Sequence, residues 1–536
     1  MVMSALCGCG EQETPEEELF LLRASVCGKL NSLDPAMNAD DRAETVFHAI
    51  YENLLRMTDD GEGNAALSPG VAKEYEEVTN YDGTIDYVFT LRGTARWSDG
   101  TRVKAKDFVF AWQRLADPAT RSPNSEMLSM VQGYDAVRES GDATKLAVRA
   151  EGDTTFRVTL TAPCSYFLND VCTATATMPL RRDAVEENEN WATSVTVPCN
   201  GPFHIGVWSK EEYLQLRRNR SYYESRAVGP DLIRLYFTET PAEAWELYET
   251  ERADYVTSPP ERVAAELAQA EDFRPLTLRS TTCVLYNHMS DAFSNEHVRR
   301  AFDLTLDRAA IAAAAGAETT VATGFVPYGV VDGAADAAGD FRTVGGALCA
   351  VEEEGYPQRC LDAEYEMRVG GYWGGVGFPD ATCLYVLGEE PRNVTAAVIA
   401  CWNEKLGVSV VPEGVTRSEF DRRIEAGEYH LAIDTFRVPC GDALSVLKPF
   451  AGTDANNSLH YVSKPFDLLI GVVGITRDPS ARAAFLHDAE SLLLGDAALS
   501  PLYFGGTTCV LREGLTGVYH DARGCSYLNG VRRVEQ

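Results

Sequence analysis

Between Tyr87 and Pro118 the hydrophobic period changes once, and that change fixes the local path of the chain. Tyr87, Phe89 and Leu91 alternate with polar residues, the two-residue repeat of a strand with one buried face. Phe108, Val109, Trp112 and Leu115 then recur at the spacing of one helical face. Ser98-Asp99-Gly100 stands between them as a turn signal, and Asp107 is expected to cap the helix. The segment has no nucleophile beside a base, no metal-ligand cluster and no phosphate-cradling glycine loop. Its use is therefore read as structural.

The same two periods recur along the chain. Val46, Phe47, Ile50, Leu54 and Met57 predict a helix over 42–57. Phe156, Val158 and Leu160 alternate as a strand, and "FHIGVW", "EEYLQLRRN" and "DLIRLYFT" read as three more. Helices are predicted near 242–251 and 261–270, a buried strand over 281–289, and another helix from Val298, Ala301, Phe302 and Thr305. The Gly- and Ala-rich stretch 332–376 shows little period and reads as loops. Then strand (382–388), helix (393–406), strand (408–414), helix (418–426) and strand (429–436) alternate. Such alternation implies a mixed or parallel sheet flanked by helices. A last helix at 480–494 precedes "SPLYFGGTTCVL", a strand able to return to an earlier domain.

A chain of 536 residues, 45% of them hydrophobic, is large enough for two to four domains. Its formal charge of −32 repels phosphate backbones and excludes nucleic acid as a partner. The acidity serves solubility; the sharper reading is attraction of cationic ligands. Of the fourteen cysteines, Cys7 and Cys9 lie at the extreme N-terminus and twelve are spread without a CxxC pair, which argues against zinc knuckles. In an exported protein the short loops Cys164–Cys172 and Cys349–Cys360 are candidate disulfides. None of the eight histidines pairs at metal-ligand spacing, no GxSxG or phosphate loop is present, and "GGYWGGVGF" lacks a dinucleotide-site context. No catalytic residue, metal or cofactor is expected. Leu6-Cys7-Gly8-Cys9 is similar to a bacterial lipobox. On that reading Cys9 is lipidated, only the end of a leader is present, and Glu11 to Glu18 form an acidic tether.

The opening stretch, in full "YVFTLRGTARWSDGTRVKAKDFVFAWQRLADP", resembles the signature of the peptide-binding family of ABC-importer receptors, the large extracellular solute-binding proteins. "KLNSLDPA", "AETVFHAIYENLLR", "LSPGVAKEYEEV", "NGPFHIGVWSKEEYLQLRRNRSYY" and "LYNHMSDAFSNEHVRRAFDLTLDRAAI" match further family patterns in the expected order. The similarity covers most of 28–530. Trp97 and Trp112 read as apolar anchors, with Asn219 and Arg300 as hydrogen-bond staples.

The resemblance implies an α/β fold of the periplasmic-binding-protein type II, in its large three-lobed form, with two main lobes joined by two hinge strands and an inserted extra domain. The expected division is 1–27 as leader end, lipobox and tether; 28–55, 181–283 and 499–536 as lobe I; 56–180 as inserted lobe II; and 284–498 as lobe III. Hinge strands are placed near 284–287 and 502–505. The implied function is capture of peptides or peptide-like ligands between the lobes and delivery to ABC permease and ATPase subunits. A monomer is expected, held on the extracellular face of the bacterial membrane by lipid alone or free in the periplasm. The alternative is a non-peptide ligand: an oligosaccharide, an opine-like compound or a metal chelate. By position, the cleft would be faced by Asn38, Asp40 and Asp41, by Asn124, by Phe436, Arg437 and Asp442, by Asn457, and by Tyr503 near the hinge. Family members often hold the ligand ammonium with an aspartate where this chain has Pro439; Asp434 and Asp442 are the nearby acids that would substitute. Asn124 stands where family members carry an aromatic residue.

Overall fold

The computed structural model describes residues 19–28, 30–38, 43–61, 63, 65–269, 276–333, 339–438 and 440–534. Two six-stranded mixed sheets and one four-stranded antiparallel sheet organise these residues. In the first sheet Leu21–Cys27 runs parallel to Leu232–Phe237 on one side and to Tyr255–Thr257 on the other. Tyr213–Arg218 and Phe203–Ser209 extend one edge, and Cys509–Leu511 closes the other. In the second sheet Leu276–Tyr286 lies antiparallel between Leu431–Arg437 and Leu499–Thr507. The small sheet pairs Ala72–Thr79, Ile85–Leu91, Thr155–Leu160 and Val148–Glu151.

Burial follows the sequence period. Ile85–Leu91 and Thr155–Leu160 alternate buried and half-buried residues, as half-exposed strands should. The helix Ala105–Ala116 packs Phe108, Trp112 and Leu115 beneath them. Trp112 meets Phe156 edge-on at 5.2 Å and donates its indole N–H to the Thr177 carbonyl at 2.9 Å. The Trp97–Gly100 turn is fastened by Ser98 N–H to the Cys199 carbonyl at 2.7 Å. Both tryptophans are therefore scaffold, as expected.

The buried residues of the first and small sheets form one continuous interior, joining Leu22, Phe47 and Tyr255 to Phe89, Trp112 and Phe156. The second sheet has an interior on each face. Cys283 and Leu285 belong to one; Val284 and Tyr286, the alternate positions of the same strand, belong to the other. Among the described residues the chain leaves the first sheet after Tyr255–Thr257, enters the second at Leu276–Tyr286, and returns to the first at Thr508. The strand Leu499–Thr507 pairs in the second sheet and Cys509–Leu511 in the first. Residues 284–286 and 502–505, near which hinge strands are expected, lie in second-sheet strands that continue toward the passages to the first sheet.

Several expectations are corrected. The helix expected over 42–57 is Glu44–Ile50; Leu55–Asp59 is a strand, captured by pairing with Ala65–Pro69. Asp107 is not the cap but lies in the first turn, where its carboxylate accepts from Lys104 N–H at 2.9 Å and the Trp97 indole at 3.3 Å. The stretch 332–376 contains a fourteen-residue helix, Tyr356–Val369, which buries only Ala363 and Met367 and so shows no apolar stripe. Asn219 is a staple, donating to the Gly201 carbonyl at 3.0 Å. The buried staple of the next motif is Arg299, which donates to the carbonyls of Phe293, Asp496 and Ala497, while Arg300 is half-buried and reaches the Gly495 carbonyl at 3.5 Å. Cys164, Cys172, Cys349 and Cys360 are free thiols, so the two short-loop disulfides are absent. Cys360 sits by Tyr356 and Cys401 on the helical side of its loop, and burial pushes Cys349 up to about 12. Among the described residues no helix is long and apolar enough to cross a membrane.

Candidate functional site

A cavity of about 800 Å³ opens between the two large sheets. Strand alternation builds one wall. Ser280 and Thr282 pair with Arg437 and Thr435 across the second sheet, and all four side chains turn to the cavity. Further along, the same face carries Val284 and Tyr286 into the apolar interior. The cavity is thus the polar end of a face whose other end is core. Tyr503, from the neighbouring strand, joins this wall and donates its hydroxyl to Glu390 Oε1 at 2.7 Å. Burial and the Glu390 carboxylate push the Tyr503 phenol upward, so it stays a donor. Glu389 and Glu390 open the eighteen-residue helix Glu389–Leu406, where the helix dipole favours negative charge. Glu318 reaches the wall from the turn before Thr320–Val321.

The facing wall comes from the first sheet. Ser25 and Thr238 meet there hydroxyl to hydroxyl at 2.7 Å, and Glu239 follows at the end of its strand. Arg523 lines this wall too, but its guanidinium is committed to Asp521 at 2.8 Å and lies 3.5 Å from Glu44. Burial raises Asp521, and Arg523 more than offsets it, holding the carboxyl below its ordinary value. Most wall groups stand at carboxyl ends of strands or at helix starts, the usual place for a ligand on mixed sheets. Hydroxyls and carboxylates on opposed walls can hydrogen-bond a polar guest and hold positive charge. Glu44, His48 and Cys525 also lie close enough together to be candidate metal ligands, but the Arg523 guanidinium beside them opposes a cation.

Of the residues expected at the cleft, Arg437 and Tyr503 line the cavity. Asp434 and Phe436 stand on the opposite face of their strand. Phe436 packs on Phe325 and Phe450, and Asp434 accepts from Arg417 at 2.9 Å. Burial raises the Asp434 carboxyl and Arg417 draws it back. Asp442 accepts two bonds from Arg482, at 3.0 and 2.6 Å. Asn457 staples its own loop through the Tyr461 carbonyl at 2.7 Å. Asn124 donates to the Asn38 carbonyl at 2.6 Å, joining the small-sheet unit to the first-sheet unit. Asp40, Asp41, Pro439 and Cys9 lie outside the described residues.

A second junction lies between the small-sheet unit and the second-sheet unit. Asp170, from the first, accepts from Arg279 at 2.7 Å and from the backbone N–H of Gly441 at 2.7 Å. Arg477 donates to the Asp82 carbonyl at 3.0 Å, and a cavity of only about 120 Å³ remains beside Tyr166 and Arg482.

The model of the bacterial extracellular solute-binding proteins, family 5 (middle region), matches residues 66–458. The chain belongs to that family. The dipeptide-binding protein DppE of Bacillus subtilis (strain 168) is 25% identical over 532 residues, covering 96% of this chain and 94% of that one. The periplasmic oligopeptide-binding protein OppA of Salmonella typhimurium is 26% identical over 487 residues, covering 89% and 85%. Among solved structures, Haemophilus influenzae OppA in complex with RPPGFSPFR aligns at a TM-score of 0.76 and 23% identity, covering 97% of this chain and 100% of that one. The Escherichia coli murein tripeptide-binding protein MppA aligns at 0.77 and 21%, covering 97% and 99%. The fold is that of these type II binding proteins, and the family consists of binding proteins. In this solute-binding protein the cavity acids Glu318, Glu389 and Glu390 escaped sequence reasoning. The available signal was positional: Glu389 and Glu390 follow "TCLYVLG", a strand passing directly into a helix.

Proposed function

We propose that this protein is the receptor of an ABC importer, which takes a peptide or peptide-like ligand into the cavity between its two large sheets and presents the loaded form to permease and ATPase subunits. The observation that carries this reading is the cavity of about 800 Å³ between the two large sheets, lined by residues of both. A guest touching both walls favours the shut form, because it makes its full set of contacts only there. Relatives named as dipeptide- and oligopeptide-binding proteins support the ligand class. In this reading the division into lobe I (28–55, 181–283 and 499–536), inserted lobe II (56–180) and lobe III (284–498) is kept, except that the strand residues 276–283 and 499–507 go with the second sheet in lobe III. The protein works as a monomer, is anchored through lipid on Cys9 and faces the cell exterior. Native mass spectrometry of gently purified protein, with a thermal-shift screen of a mixed peptide library, tests the function. Co-purified peptide or a shift is expected; neither appearing would overturn the peptide ligand.

A non-peptide guest is the second reading. It is favoured by a 24%-identical relative named as a probable deoxycholate-binding protein, YgiS of Escherichia coli (strain K12), covering 88% of this chain and 86% of that one. A calorimetric screen of sugars, metal chelates and deoxycholate separates the two.

A further inference from the structure

The helix Tyr356–Val369 is held to the second-sheet unit by little. Ala363 and Met367 are its buried residues, while Leu361, Tyr365 and Val369 are exposed. Cys360 stands on the buried face, three residues before Ala363 and seven before Met367. The helix Glu389–Leu406 lies in contact with it. Val394, Val398 and Trp402 of that second helix are buried in the same interior as Ala363 and Met367, and Cys401 packs half-buried on it. The two cysteines thus stand on the two facing sides. Tyr356, one turn before Cys360, fixes the spot: its hydroxyl donates to the Thr305 carbonyl at 2.9 Å, and both thiols lie against its phenol. Lys405, one turn after Cys401, brings an ammonium group near both. Both thiols are free and half-buried, within reach of a reagent from solvent.

We propose that Cys360 and Cys401 are a redox pair that closes to a disulfide when the chain meets an oxidising disulfide outside the cell, pinning Tyr356–Val369 to Glu389–Leu406. The closure in the cell rests on the exterior location proposed above, because thiols stay reduced inside most cells. The co-reactant is the disulfide of a thiol oxidoreductase or of a small molecule. One cysteine thiolate attacks a sulfur of that disulfide, and the displaced sulfur leaves as a thiol. The other cysteine thiolate attacks the resulting mixed disulfide and displaces the second sulfur, also as a thiol. Two protons and two electrons leave the pair, and the oxidant's disulfide becomes two thiols. A positive charge beside a thiol favours such exchange, which is the part Lys405 plays. The bond closes a loop of about 40 residues and so constrains the unfolded chain as well as the helix. It supplies the hold that Ala363 and Met367 alone do not. Cys349, the short-loop partner expected for Cys360, is instead buried near Arg308.

The test is peptide mapping of the full chain without reduction, after free thiols are blocked. Trypsin releases Cys360 in the peptide 360–368 and Cys401 in 393–405. Protein recovered from the outer face of its own cells, and reduced protein treated with oxidised glutathione, should both give these two peptides joined. Backbone deuterium exchange over Tyr356–Val369 should be about tenfold slower in the joined form than in the reduced one. Cys360→Ser should abolish that difference, and Cys401→Ser serves where the first variant folds poorly. Peptide 360–368 joined to 343–359, which carries Cys349, or left unjoined or as a glutathione adduct after both treatments, would overturn the pairing. A join that leaves exchange unchanged would overturn the pinning of the helix. A join made by glutathione but missing from the cell-derived protein would overturn the exterior location and leave the pair standing.

Discussion

Two of the places where the second-sheet unit meets the rest of the molecule are built on opposite plans. At the Asp170 junction the charges answer one another: Asp170 with Arg279, both buried, and Asp442 with Arg482 nearby. Little space remains there, about 120 Å³. At the large cavity carboxylates outnumber guanidinium groups on the walls, hydroxyls face open space, and the volume is about 800 Å³. The first junction is complete as it stands; the second is made for something that arrives later. Preorganised polar groups in the one give stability, and in the other they are held for a guest.

Four changes set the two junctions against each other, in descending order of effect. Asp170→Ala leaves the Arg279 guanidinium buried without its partner, and unfolding free energy should fall by about 3–5 kcal/mol. Urea denaturation followed by tryptophan fluorescence measures it; a loss below 1 kcal/mol would mean that the junction carries no weight. Asp442→Asn weakens two charge-assisted bonds to a partly exposed arginine, and the expected loss is about 1.5–3 kcal/mol by the same assay.

Acid should act on the cavity side third. Burial lowers His48 to about 3 and His520 to about 4, and both stand behind the wall formed by Thr45 and Ser526. Their folded values lie below the unfolded one. Their contribution is therefore present above about pH 6.5 and is lost as the pH falls toward 4. At pH 5.5 each costs up to about 1.4 kcal/mol, and His520→Gln should flatten the melting-temperature profile between pH 7 and 5. Smallest is Tyr503→Phe, which removes one hydrogen bond worth about 1 kcal/mol. Stability should change little, while affinity for a peptide bound in the cavity drops severalfold as the wall loses the Tyr503–Glu390 bond.

Much of the fold was legible because local period and tertiary burial agree. The alternation at Tyr87–Leu91 and the helical face of Phe108, Trp112 and Leu115 survive unchanged into the small-sheet unit. The helix Tyr356–Val369 was not legible, since it rests on its neighbours through two residues and is otherwise polar. The segment after Ile50 misled for the opposite reason: Leu54 and Met57 fit a helical period, yet pairing with Ala65–Pro69 outweighed it. The site was less legible than the fold. Strand parity decides which of Asp434, Thr435, Phe436 and Arg437 face the cavity, and parity requires the register, which no single strand encodes. Glu389 and Glu390 are two among 80 acidic residues, so composition hid them.

The shared interior of the first-sheet and small-sheet units has a mechanical corollary. Leu22 and Phe156 belong to one packed mass, so rotation about the passages after Thr257 and at Thr508 turns that mass as one lever. Asp170 rides on that mass and grips Arg279 and the Gly441 loop. Widening the jaw by such a swing must first tear that grip loose, and the dwell time of whatever is inside is then set by a clasp it never touches.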